Sequence, residues 1–167
     1  MSLAVVIEPL NGSHDRRGFD CGVTALDRYV REQASQDVKR RLGNCFVATD
    51  RDAGTIAAYY TLAASSVPIA DLPEADTRRL PRYPVLPATL IGRLAVDSRY
   101  QRRQIGSALI VDALHRSAQA APASFTLLVD AKDDSAAAFY RKHGFIPLAS
   151  RPLSLFLPIA TALKLFG

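Results

Sequence analysis

Residues 91–110 read IGRLAVDSRYQRRQIGSALI, and this stretch decides the predicted fold. Its first part is apolar apart from Arg93, which is typical of a strand buried on both faces. Residues 97–103 are polar and basic, as a loop would be. From Ile105 an apolar helical run continues to about Ala120. The stretch therefore predicts a strand, a basic turn and a helix.

The turn before this helix has the features of an anion-binding site. The first amides of a helix lack intrahelical partners, and the helix dipole places partial positive charge there. Gly106 allows a ligand to approach the backbone closely, and Arg99, Arg102 and Arg103 add cations. Such a turn is suited to a pyrophosphate, although a basic loop on an ordinary α/β domain has the same composition.

Length and composition predict a single domain spanning residues 1–167. Hydrophobic residues make up 49% of the chain and charged residues 22%, which is an ordinary balance for a soluble protein. Cys21 and Cys45 do not have CxxC or zinc-ligand spacing, and three histidines do not complete a metal set. We therefore expect no metal, and two structural thiols in a reducing cytosol.

The sequence predicts a cytoplasmic protein with no membrane partner. Residues 1–10 carry Glu8 and no basic region, unlike a signal peptide. The apolar run at 153–166 is too short to cross a bilayer and is interrupted by Pro158 and Lys164. The net charge of +5 favours an anionic partner, a description that fits a nucleotide cofactor, an RNA and an acidic protein equally.

The remaining segments alternate between strand and helix patterns, which predicts an α/β fold with a mixed sheet and helices on both faces. Predicted strands lie at residues 3–7, 45–49, 55–62, 124–129, 146–148 and 153–157. Predicted helices lie near residues 24–41, 74–80, 105–120 and 133–143. The last of these has acidic N-cap candidates at Asp133 and Asp134 and Gly144 as its C-cap. Thr24 is the expected N-cap of the first helix, with Asp27 completing a capping box. Residues 67–87 contain five prolines and form either a substrate-side flap or a solvated loop.

Two motifs resemble the GNAT N-acetyltransferases. RLAVD at 93–97 and QRRQIGSAL at 101–109 are similar to that family's acetyl-CoA-binding segment, with Gln104 where the family usually has a further glycine. AFYRKHGF at 138–145 is similar to the family's last helix, in which a tyrosine precedes a Gly-Phe pair. The resemblance covers nearly the whole chain. It implies a GNAT fold with a mixed, mostly antiparallel sheet of six to seven strands flanked by about four helices.

Three further features resemble the acetyltransferase toxins of bacterial type II toxin–antitoxin systems. They are FDCG leading into LDRY within 19–29, YYTLAASSV at 59–67, and IGRLAVD at 91–97. The resemblance implies transfer of acetyl from acetyl-CoA, the co-substrate, to the α-amino group of aminoacyl-tRNA, which blocks translation. It also implies an antitoxin partner with a ribbon–helix–helix DNA-binding domain. The identity of the aminoacyl-tRNA and the formation of a homodimer stay open.

The resemblance also implies roles for individual residues. Tyr140 is the expected catalytic residue, which protonates the departing CoA sulfur. The expected cofactor-binding residues are Leu94, Ala95, Val96, Arg102, Arg103, Gln104, Ile105, Gly106 and Ser107. An amide of the strand would polarise the thioester carbonyl.

An RNA acceptor would need cations that contact its phosphates. The candidates are Arg93, Lys39, Arg40, Arg41, Arg78, Arg79, Arg82, Arg141 and Lys142. Arg93 lies in an otherwise apolar strand, where an unpaired charge is costly, so it either pairs with a structural carboxylate or faces the acceptor's phosphate.

Two other functions stay open at this stage. A GNAT enzyme acting on a small amine or a protein amine shares the cofactor site and differs only at the acceptor. The other alternative is a GNAT domain that binds an acyl-CoA or a partner protein without catalysis, which Gln104 favours. A failure to bind acetyl-CoA would exclude both enzymes and leave the second alternative.

Overall fold

The computed structural model describes residues 4–166, which form seven strands and six α-helices. The strands are β1 Val5–Pro9, β2 Asn44–Asp50, β3 Thr55–Pro68, β4 Val85–Val96, β5 Thr126–Asp130, β6 Ile146–Leu148 and β7 Arg151–Pro158. The helices are α1 Thr24–Arg28, α2 Ala34–Lys39, α3 Glu74–Thr77, α4 Ile105–Gln119, α5 Asp134–Lys142 and α6 Ile159–Phe166. A π-turn at Tyr29–Gln33 joins α1 to α2, and 3₁₀ turns occupy Ile69–Asp71 and Ser98–Tyr100.

The strands hydrogen-bond in the order β1-β2-β3-β4-β5-β7-β6. The pairs β1–β2, β2–β3, β5–β7 and β6–β7 are antiparallel, whereas β4 and β5 are parallel. A parallel pair needs a crossover, and α4 lies in the segment between β4 and β5. The predicted α/β class with a mixed, mostly antiparallel sheet is confirmed.

The contacts between residues divide the chain into two compact units. The first contains residues up to Ala63 together with Gly92–Asp112, and the second contains Ala64–Ile91 and residues from Ala113 onward. The core of the first unit is formed by Phe19, Tyr29, Val30, Ala34, Cys45, Val47, Ile56, Tyr59 and Ala95. The core of the second unit is formed by Val67, Leu72, Leu86, Ala88, Leu128, Leu148 and Phe156.

The start of the first helix differs from the capping-box prediction. Thr24 is already the first helical residue, and Val23 occupies the N-cap without a side-chain hydrogen bond. The Asp27 carboxylate instead accepts a hydrogen bond from the Cys21 amide at 2.8 Å. The carboxylate therefore stabilises the loop before the helix rather than the helix end.

The C-terminal apolar run contains a helix that the sequence reading missed. The strand predicted at 153–157 is confirmed within β7, but the chain then turns into α6, where Ile159 and Ala162 are buried and Leu165 is 65% exposed. The prediction that residues 89–96 are buried on both faces is wrong, because only Ile91 and Ala95 are fully buried there and Gly92 is exposed. The first predicted strand included Leu3, which lies outside the described residues. No helix of residues 4–166 has the length and apolarity to cross a membrane.

Helix α5 has both of its predicted caps. The Asp133 carboxylate accepts a hydrogen bond from the Ala136 amide at 2.8 Å. Gly144 follows the helix with φ of +93°, and the Phe145 amide donates to the Tyr140 carbonyl at 3.1 Å. These bonds fix the last turn of α5, which carries Tyr140.

We predict that Gly144→Ala lowers the free energy of unfolding by about 1 kcal/mol, because a Cβ is strained in the left-handed region. The added Cβ would meet Leu157 Cδ1 only at 3.7 Å, so the cost comes from backbone strain. Gly18→Ala is the matched control, because Gly18 has no positive φ and no atom within 4 Å of the added Cβ. Urea unfolding measures both variants, and equal effects would contradict the prediction.

Candidate active site

Strand β4 ends in a hydrogen-bond network around Asp97. This residue closes the RLAVD motif, but the sequence alone assigns it no role. Its carboxylate is 1% exposed and accepts hydrogen bonds from the Arg99 amide at 2.9 Å and the Asp20 amide at 3.0 Å. The Arg99 guanidinium adds two more, from Nε at 2.9 Å and Nη2 at 3.0 Å. Burial by itself raises the pKa of Asp97, but these hydrogen bonds outweigh it and hold the pKa below its usual value.

The turn between β4 and α4 has left-handed backbone at two residues that are not glycine. Arg102 has φ of +66° and Gln104 has φ of +62°. Left-handed residues within a turn are typical of backbone nests whose amides bind anions. Glycine adopts this conformation without steric cost, whereas Gln104 adopts it at a cost of about 1 kcal/mol. The missing glycine therefore does not prevent the turn, and the Gln104 side chain is exposed.

Helix α4 begins directly after this turn. The Ala108 amide donates to the Gln104 carbonyl at 3.2 Å. The amides of Ile105 and Gly106 come before this bond and have no carbonyl one turn earlier in the helix. Ile105 is 5% exposed and anchors the helix start, while the guanidinium groups of the preceding turn are exposed. Helix amides next to arginines fit a diphosphate.

The last residues of β4 extend past its pairing with β5. That pairing runs from Ala88 to Ile91, so Leu94–Val96 lie beyond it. The Gln101 side chain donates to the Val96 carbonyl at 3.1 Å and closes the strand end. Polar backbone on a strand end next to an anion-binding turn fits the amide-containing arm of CoA.

Tyr140 has a buried ring and an unengaged hydroxyl. The ring packs edge-to-face on Phe139 and Phe145 with centroid distances of 5.2 and 5.5 Å, and burial raises the pKa of Tyr140 to about 12. The hydroxyl has no hydrogen bond within residues 4–166. Buried side-chain oxygens without a hydrogen-bond partner in this range are found at Thr49 and Ser117 and not at Tyr140, so the Tyr140 hydroxyl is not completely buried. Such a phenol is protonated at neutral pH and accessible as a proton donor.

Arg93 does not pair with a carboxylate, which was one of its two expected roles. Its Cζ lies 3.6 Å from the centroid of the Tyr29 ring, and the Tyr29 hydroxyl donates to Asp37 at 2.9 Å. Within the part of the chain that is described, Arg93 has no ion pair and no hydrogen bond. The ring lowers the cost of holding a half-buried cation, and the guanidinium donors are left for another partner.

The other cations proposed for RNA binding are all exposed, and none has an ion pair with a residue in the range 4–166. Three of them follow one another at the end of α2 in the first unit, namely Lys39, Arg40 and Arg41. The others lie in the second unit, namely Arg78, Arg79, Arg82, Arg141 and Lys142. Arg41 has φ of +60° and terminates the helix in the left-handed conformation.

Residues 41–147 match the family model of the acetyltransferase (GNAT) domain. The chain belongs to the GNAT acetyltransferase family, a class of enzymes that use acetyl-CoA, and the resemblance found in its sequence is confirmed. Among residues 4–166, no group of three His, Cys, Asp or Glu side chains is placed to hold a metal ion.

Individual relatives match along nearly the whole chain. The probable toxin TacT of Sinorhizobium fredii is 34% identical over 172 residues, which cover 97% of this chain and 95% of the relative. A tRNA-acetylating toxin of Mycobacterium tuberculosis is 38% identical over 160 residues, covering 95% and 94%. The solved structure of AtaT complexed with acetyl-methionyl-tRNAfMet has a TM-score of 0.89 at 28% identity, covering 98% of this chain and 100% of AtaT. A mutant AtaT toxin bound to the C-terminus of the antitoxin AtaR and acetyl-CoA has a TM-score of 0.81 at 26% identity, covering 97% and 98%.

We predict that Gln104→Gly raises the free energy of unfolding by about 0.5–1 kcal/mol, because glycine removes the strain of the left-handed conformation. Gln36→Gly is the control with the opposite sign, since Gln36 lies inside α2 and glycine there costs about 1 kcal/mol. Denaturant unfolding measures both variants. A loss of stability in Gln104→Gly would contradict the strain that we assign to this residue.

Proposed function

We propose that this chain transfers acetyl from acetyl-CoA to the α-amino group of aminoacyl-tRNA and acts as the toxin of a toxin–antitoxin pair. The observation that carries the proposal is the 38% identity to a tRNA-acetylating toxin over 95% of the chain. The net charge of +5 and the exposed cations without ion pairs are what an RNA acceptor requires. We also propose that residues 1–167 form a single acetyltransferase domain.

We place acetyl-CoA on the end of β4, the following turn and the start of α4. Acetyl-CoA supplies the acetyl group as a thioester. Arg102, Arg103 and the amides at 104–107 would hold its diphosphate, with charge from both the side chains and the helix dipole. The backbone of Leu94–Val96 would hold the pantetheine arm, and one of these amides would polarise the thioester carbonyl.

The proton balance requires one acid and no strong base. An α-amino group has a pKa of roughly 7.7–8.0, so a useful fraction is neutral and nucleophilic at neutral pH. The amine forms the new C–N bond and releases a proton to water, while the C–S bond breaks. Tyr140 would donate its proton to the leaving sulfur and take one back from water before the next turnover, a role supported by its protonated and unengaged hydroxyl.

The partners follow from the same proposal. Phosphates of the acceptor would contact Arg93 and the exposed cations, and the reaction would take place in the cytoplasm, where aminoacyl-tRNA is found. By analogy with AtaT, which has been solved with AtaR, we propose an antitoxin partner, of the ribbon–helix–helix type.

The direct test is incubation of the protein with labelled acetyl-CoA and a pool of aminoacyl-tRNAs. We expect label on the α-amine of at least one of them. Label on a polyamine or a protein amine, with none on aminoacyl-tRNA, would replace the proposal by a different acceptor. Failure to bind acetyl-CoA would exclude acetyl transfer both to aminoacyl-tRNA and to any other amine.

We predict that Tyr140→Phe lowers turnover by about 10²–10⁴-fold, because general-acid catalysis by the phenol is lost. Acetyl-CoA affinity should stay unchanged. The matched control is Tyr60→Phe, which also removes one hydroxyl, here a donor to Asp112 at 2.5 Å. The control should lose thermal stability but not turnover, and equal turnover in both variants would remove Tyr140 from the mechanism.

We predict that replacing Lys39, Arg40 and Arg41 together by Gln raises the KM for aminoacyl-tRNA and makes log KM less dependent on log salt, by roughly 2–3 units of slope for three phosphate contacts. The matched control replaces Arg17, Arg28 and Arg31, which have carboxylate partners in the chain. The control should keep the wild-type slope. Identical slopes in the two triple variants would exclude the α2 cluster from RNA binding.

A further inference from the structure

The loop that follows α3 combines an exposed aromatic ring with exposed cations. Tyr83 is 59% exposed, and its ring has neither an aromatic nor a cationic partner within residues 4–166. Arg78, Arg79 and Arg82 precede it, all exposed and without ion pairs in the described chain. We propose that this arginine–tyrosine loop, residues 78–84, binds the single-stranded 3′ end of the RNA acceptor by stacking an unpaired base on Tyr83. The inference rests on the proposed function, because it takes RNA as the acceptor.

The loop is anchored on both sides of the ring. Leu80 packs against the core of the second unit, and its amide donates to Thr77 at 2.9 Å. The Tyr83 amide donates to the Pro81 carbonyl at 2.9 Å, and the Pro84 carbonyl accepts from Ile69 at 3.2 Å. Two prolines also restrict the backbone next to Tyr83. The ring is therefore presented on an ordered loop, and binding a base would cost little loop entropy.

A ring next to guanidinium groups matches the chemistry of single-stranded nucleic acid. Every unpaired base has an exposed π-face that stacks on an aromatic side chain, while cations follow the phosphates. An isolated exposed tyrosine is common on protein surfaces, so the adjacent cations are what make this loop distinctive. The acidic residues of this segment come before the loop, where Glu74 and Asp76 lie in the first turn of α3 and Asp71 pairs with Arg151 at 3.8 Å. Inside a double-helical stem the neighbouring pairs cover both faces of each base, which favours the unpaired 3′ end as the ligand.

The absence of tryptophan from the sequence allows a direct test of stacking. In Tyr83→Trp, the indole would be the protein's only tryptophan and would keep the ability to stack. We expect its fluorescence to be quenched when an RNA hairpin with a single-stranded 3′ tail binds, and not when the same hairpin with a blunt end binds. Leu165→Trp, at a position that is 65% exposed on α6, is the control and should respond to neither RNA.

Two fluorescence outcomes would overturn the inference. One is an unchanged Tyr83→Trp signal at RNA concentrations where the anisotropy of labelled hairpin shows saturated binding. The other is equal quenching by the tailed and the blunt hairpin, because the inference assigns the ring to an unpaired base and the blunt hairpin has none at its end.

Kinetics separate this inference from the proposed function. We expect Tyr83→Ala to raise the KM for aminoacyl-tRNA by about 5- to 150-fold with kcat unchanged, the range for loss of one stacked base. Tyr83→Phe should keep the wild-type KM, because the ring is retained. An active wild type together with an unchanged Tyr83→Ala would overturn the stacking site alone. A wild type that acetylates no aminoacyl-tRNA would overturn the proposed function as well.

Discussion

The candidate cofactor site depends on the buried carboxylate of Asp97. An unpaired buried carboxylate would cost several kcal/mol, so the folded chain has to keep Arg99 and the Asp20 amide in place around it. The Asp97 amide also donates to the Ala57 carbonyl at 2.8 Å, which ties the end of β4 to β3. Because the pKa of Asp97 is depressed in the fold, this stabilisation is present at neutral pH and is lost as the pH falls below the ordinary carboxyl range. These hydrogen bonds therefore hold the end of β4, where the turn begins, in place.

The turn that starts there combines strain with preorganisation. Its two left-handed residues hold the backbone in a conformation that most side chains disfavour, and such strain persists only where the surrounding structure imposes it. Part of that surrounding structure is Tyr100, whose buried hydroxyl donates to Asp50 at 2.6 Å. The Arg103 guanidinium lies 5.8 Å from the centroid of this ring. Arg103 also interacts electrostatically with the Asp50 carboxylate, so the ring and this carboxylate together favour a position of the arginine near the turn.

The features predicted from sequence are those set by local chemistry, and the others depend on distant residues. The caps of α5 and the strand–turn–helix around Gly106 follow from short-range signals, and the structure has both. The stacking of Arg93 on Tyr29 was not predictable, because 63 positions of sequence separate the residues and no local pattern relates them. The sequence pattern likewise does not distinguish the π-turn at Tyr29–Gln33 from a continuous α-helix. Helix α6 was missed because a short apolar run fits a strand and a buried helix equally well.

The six tyrosines of the chain differ in which part of the side chain the fold uses. Four of them use the hydroxyl to hold the fold, since Tyr29, Tyr59, Tyr60 and Tyr100 donate to Asp37, the Leu26 carbonyl, Asp112 and Asp50. The hydroxyls of Tyr83 and Tyr140 have no such bond within residues 4–166. Tyr140 has a buried ring, so its hydroxyl is what it offers to a reaction. Tyr83 has an exposed ring, so its π-face is what it offers to a ligand. The two roles that we assign therefore follow from which part of each tyrosine the fold leaves unused.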